Sequence, residues 1–157
     1  MPDSLETARS AAAKAREAAA ADPAKLPALV QALQLVGDAL RDTDITAAEA
    51  AYREAMSAVE GREVPVGTLA NVRMNLATLL DFSDRAEQAT SFYEDAITDF
   101  ETLGTKDCKE VAAQLRNNLA MTYKDLGKYA LAEQHYLRAL ETLEANHGRN
   151  SETVATL

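Results

Sequence analysis

Three stretches of the chain carry the same run of small, aromatic and apolar positions. Each begins with alanine, skips three residues to a tyrosine, skips two more to a second alanine, and ends on a bulky apolar residue. The copies are Ala48, Tyr52, Ala55 and Met56; Ala89, Tyr93, Ala96 and Ile97; and Ala132, Tyr136, Ala139 and Leu140. Offsets of four, three and one gather the four residues on one face of an α-helix. The alanines admit a neighbouring helix at close range, and the tyrosine fills the space between them. The tyrosines recur about every 42 residues, so the unit is a structural repeat.

A second amphipathic helix precedes each of these. The clearest runs Val111, Leu115, Leu119, Ala120, Tyr123, Leu126 and stops at Gly127. Its counterparts are Leu69, Val72, Leu76, Ala77, Leu80, turning at Ser83–Asp84, and Leu29, Leu33, Val36, Gly37, Leu40, turning near Asp42–Asp44. Gly37, Ala77 and Ala120 occupy one small-residue place. Glycine and proline gather between the units, at 61–67, 104–107 and 148–150. Thr68, Asp107 and Ser151 are the expected helix N-caps there. The pattern predicts helix pairs at 24–60, 68–103 and 107–146, with 151–157 starting a further helix. An alanine-rich helix within 1–22, stopped by Asp22–Pro23, is the expected N-terminal cap of the stack.

Composition fits this reading. Of the 157 residues 32 are alanine, there is no tryptophan, and no window alternates as a half-buried strand would. The fold class expected is all-α, an α-solenoid of antiparallel helix pairs. A net charge of −9, with no basic stripe, argues against nucleic acid as a partner. No apolar run is long enough to span a membrane, and the N-terminus lacks the features of a signal peptide. The lone Cys108 excludes an internal disulfide framework, and a cytoplasmic setting is expected.

Leu119, Ala120, Tyr123, Gly127, Tyr129, Ala132, Tyr136 and Ala139 resemble the tetratricopeptide consensus. The period exceeds the usual ~34 residues. Together with the run Asn117–Ala120 and the link from Gly148, the long period resembles the kinesin-light-chain variety over roughly residues 24–157. Within that variety the alanine-rich chain resembles the bacterial kinesin light chains, a resemblance that implies association with bacterial tubulin.

That resemblance implies a concave groove lined by the first helix of each pair. The face opposite the core stripe presents Gln31, Gln34, Asp38 and Arg41, then Asn71, Met74, Asn75, Thr78 and Asp81, then Gln114, Asn117, Asn118, Met121 and Lys124. Carboxamides offer donors and an acceptor to the backbone of an extended peptide, and methionine adds adaptable apolar contact. By resemblance, Asn75 and Asn118 stand where the family's backbone-gripping asparagines lie. The alternative is a plain solvated face. With Arg41 and Lys124 as the only bases, a clamp for a C-terminal carboxylate is not expected.

No sequence feature supplies a catalytic centre, a cofactor or a metal site. His135 adjoins Tyr136 and His147 lies beyond the last tyrosine helix in an expected loop, neither with a second ligand at useful spacing. Cys108, in an expected connection beside Lys106 and Lys109, has no histidine neighbour. No glycine-rich phosphate loop is present. The reading is a non-catalytic adaptor that holds a peptide segment or a cytoskeletal filament, with bacterial tubulin as the partner implied by resemblance. Two alternatives stand beside it: a self-assembling scaffold using apolar surface near Leu140, Leu143, Val154 and Leu157 at the C-terminal end, and a regulatory module of a longer protein.

Overall fold

Helix pairs connected by short turns account for nearly all of the computed structural model, which describes residues 4–148. The helices are α1 (Ser4–Ala21), α2 (Leu26–Leu40), α3 (Ile45–Ala58), α4 (Ala70–Phe82), α5 (Ala86–Leu103), α6 (Lys106–Asp125) and α7 (Tyr129–His147). A single 3-10 turn, Pro23–Lys25, joins α1 to α2. Helices α2 and α3, α4 and α5, and α6 and α7 pack as antiparallel hairpins, and α1 lies against α2. Helix α3 also meets α4, and α5 meets α6, so that successive hairpins stack into a solenoid.

Local chemistry sets the helix ends. Asp44 accepts a hydrogen bond from the Ala47 backbone N–H at 2.9 Å and so caps α3. Gly104 ends α5 in the left-handed conformation, φ 71°, which costs glycine little. Two expected caps fall elsewhere. Thr105, not Asp107, caps α6 by accepting from the Cys108 N–H at 3.2 Å, because it alone is extended at that point. Asp107 sits inside the first turn, where its charge suits the helix dipole. Thr68 turns its hydroxyl back to the Pro65 carbonyl at 2.7 Å, and the N-cap place of α4 falls on Leu69, which offers no side-chain bond. Ser151 and the expected helix start at 151–157 lie outside the described residues, as do Val154 and Leu157.

The repeated small and aromatic positions build the core. Tyr52 and Tyr93 are sealed, as are Leu33, Leu76, Leu80 and Leu119. The six alanines of the repeat pattern are all buried, whereas Tyr136 is half-buried. Gly37 explains the small-residue place directly, since a Cβ there would run into the Tyr52 ring. Leu143 departs from expectation. Rather than forming an uncovered edge, it is 3% exposed and packs with Ala113 and Ala139 between α6 and α7. The large apolar residues that α7 does expose are Tyr129, Leu131 and Leu137.

Candidate protein-binding face

The first helix of each hairpin (α2, α4, α6) presents one stripe of residues away from its partner. Successive positions three and four apart bring Gln31, Gln34 and Asp38 together on α2, Asn71, Met74, Asn75 and Thr78 on α4, and Gln114, Asn117, Asn118, Met121 and Lys124 on α6. Gln31, Arg41, Asn71, Gln114, Asn118, Met121 and Lys124 are exposed, while Gln34, Met74, Asn75, Thr78 and Asn117 are half-buried. The amides of Gln31, Asn71, Gln114 and Asn118 have no partner among the described residues. They are therefore available to an external backbone.

Other predicted residues are engaged within the chain. Asn75 donates its Nδ2 to Asp38 Oδ1 at 2.7 Å, across the boundary between hairpins. The same Asp38 oxygen accepts the Tyr52 hydroxyl at 2.6 Å, and Gln34 approaches the other oxygen at 3.4 Å. Thr78 donates to the Met74 carbonyl at 2.9 Å, one turn back in its own helix. A parallel arrangement joins the next pair of hairpins. Asp81 Oδ2 accepts from the Thr122 hydroxyl at 3.0 Å and from the Tyr93 hydroxyl at 3.3 Å. One carboxylate thus ties α2, and another α4, to the tyrosine of its own hairpin and to the first helix that follows.

Burial pushes the Tyr52 phenol well above its ordinary range, and the adjacent Asp38 carboxylate adds to the shift. Burial likewise raises Tyr93, to about 12, with Asp81 contributing. Both phenols stay protonated and remain donors at neutral pH. Asp38 and Asp81 hold the surface in shape beneath the free amides. Asn75 shares this work, and its amide nitrogen is already committed.

Apolar residues complete the face, and two of them are absent from the sequence-based selection. Leu35 is 51% exposed and occupies the register place of Asn75 and Asn118, counting from Gly37, Ala77 and Ala120. Phe82, 87% exposed, stands at the end of α4 and with Ile45, Thr78, Leu79 and Arg41 walls a cleft of about 330 Å³. The repeat register marks Leu35 once the small-residue place is known. Phe82 carries no such mark, because its exposure follows from where α4 ends.

The remaining candidates have structural settings. His135 lies against the Tyr123 ring, centroids 5.5 Å apart, and burial lowers its pKa, with Arg116 adding to the effect. His147 is the last residue of α7 rather than part of a loop, and its Nε2 is 2.8 Å from Glu110 Oε1. Cys108 belongs to the first turn of α6 and is half-buried. Among the described residues no three His, Cys, Asp or Glu side chains are placed to hold a metal, and no helix is long and apolar enough to cross a membrane.

Residues 112–152 match the tetratricopeptide repeat family. The chain also resembles the crystal structure of BtubC (BKLC) from P. vanneervenii, with a TM-score of 0.74 and 32% identity. The likeness covers 98% of this chain and 61% of that one. The fold is a tetratricopeptide-like helical solenoid. The repeat type is the one found in kinesin light chains, and BtubC is a bacterial kinesin light chain-like protein. The solenoid spans about three-fifths of BtubC's length. No match is found among curated proteins. The repeats and the fold support a protein-interaction adaptor, and repeat scaffolds of this type are non-catalytic.

Proposed function

We propose that the solenoid is a cytoplasmic, non-catalytic adaptor that takes a segment of a partner protein along the face of α2, α4 and α6. The observation that carries this reading is the row of unengaged amides. Gln31, Asn71 and Gln114 recur at equivalent places on successive first helices, and Asn118 stands one turn further along α6. Carboxamides suit an extended backbone, whose N–H and C=O groups need partners along their whole length. Leu35, Met74, Met121 and Phe82 offer apolar contact between the amides.

For the partner we propose bacterial tubulin, on the likeness to BtubC. Co-sedimentation with polymerised bacterial tubulin tests this. The purified chain should pellet with the polymer and saturate, and it should stay in the supernatant when polymer is omitted. A chain that remains soluble at every polymer concentration would remove bacterial tubulin as the partner.

A further inference from the structure

The solenoid has two internal joints, and they are built differently. Between the second and third hairpins the link is only Gly104–Thr105, and α5 packs along α6, with Phe100, Ala112 and Leu115 all buried in the core. The guanidinium of Arg116 is buried there on Glu101 at 2.6 Å, and the Tyr123 hydroxyl donates to Glu94 at 2.6 Å. Between the first and second hairpins the link runs over residues 59–69, and α3 meets α4 over a much smaller area.

Clefts open at both ends of this first joint. One, of about 580 Å³, lies between Met56 and Val59 on one side and Val64, Leu69 and Arg73 on the other. The second is the Ile45–Phe82 cleft at the opposite end. Several polar ties also cross from the first hairpin to the second, beside a buried apolar cluster that includes Val59, Ala70 and Val72. Asn75 reaches Asp38, Arg85 grips Glu49 with two bonds at 2.5 and 3.2 Å, and Arg53 lies 5.7 Å over the Phe92 ring. Polar ties exchange for water at little net cost, so the smaller packed contact of α3 on α4 leaves this joint easier to open than the one between α5 and α6.

We propose that the joint between α3 and α4 is a hinge, about which α1–α3 rock as one body against α4–α7. Residues Gln31, Gln34, Leu35 and Arg41 stand on one side of it, and Asn71 through Lys124 on the other. The hinge therefore sets the spacing between the two parts of the free-amide face. It is a property of the unliganded chain and stands whether or not that face takes a partner.

Pulsed electron–electron distance measurements on the whole chain test it. Spin labels go on the equivalent exposed positions Ala50, Ser91 and Gln134, in a Cys108→Ser background. The Ala50→Cys/Ser91→Cys pair reads the first joint and the Ser91→Cys/Gln134→Cys pair reads the second. The first distribution should be about twice as wide as the second, and Glu49→Gln should broaden the first alone. A first distribution no wider than the second would overturn the hinge, as would equal broadening of both by Glu49→Gln. Circular dichroism of each labelled variant confirms that the helices are intact.

Discussion

At the scale of single residues, the carboxylate of Asp38 does more than its exposure suggests. It accepts from Tyr52 and Asn75 at once, and both donors lie on neighbouring helices. Asp38→Ala leaves a buried phenol without a partner and should cost about 1–3 kcal/mol in a denaturant titration. A value near zero would mean that water replaces the carboxylate freely. The tyrosines give a pH test. With folded-state pKa values raised, the phenols contribute stability in full below their ordinary pKa, and that contribution is lost as pH rises through the folded values. The solenoid should therefore lose stability above about pH 10. Phenolate absorbance from Tyr93 and Tyr123, each raised to about 12, should appear only near that pH or together with loss of helix. The places of Tyr52 and Tyr93 are legible in the sequence because they repeat with their flanking alanines. The role of Asp38 is not, since which polar group it meets depends on how far α4 is rotated against α2.

Among the elements, helices are the most legible feature and their ends the least. Apolar spacing finds each pair, and Gly37 is identified as a close-approach position by its register with Ala77 and Ala120. The caps are harder to read. Thr105 and Asp107 are both good capping residues, and the choice between them rests on which has extended backbone. Links are harder again, because sequence does not show that residues 59–69 leave α3 and α4 with little shared surface. Glu49 on α3 holds that joint to Arg85, whose hydrogen bond is the main cause of a carboxyl pKa below the ordinary range, with Arg53 adding to it. A depressed carboxyl contributes stability above its unfolded pKa and loses it as pH falls through the folded value. Glu49→Gln should therefore lower stability by about 0.5 kcal/mol at pH 7, with the difference vanishing in strong acid. Thermal melts at pH 7 and pH 2.5 check this. His135 adds an acid loss of its own: its lowered pKa makes stability fall as pH drops below the ordinary histidine range.

Across the whole molecule, the alignment of three hairpins turns scattered amides into a continuous face. Gln31, Asn71, Gln114 and Asn118 are each unremarkable on a solvated helix, and they matter because the repeat stacks α2, α4 and α6 side by side. The sequence alone yields that set, since the repeat register defines which positions point the same way. It also includes Asn75, whose amide nitrogen the fold uses to bind Asp38, so an Asn75 variant would confuse stability with binding. The decisive measurement is the affinity of polymerised bacterial tubulin for the wild-type chain and for Gln114→Ala/Asn118→Ala, both exposed and without intramolecular partners. Ser91→Ala/Gln134→Ala, exposed on the second helices, serves as the control. Loss of the two face amides should weaken binding about tenfold or more while the control stays at wild-type affinity. Unchanged affinity in the Gln114/Asn118 variant, or loss in the control alone, would contradict the assignment of this face.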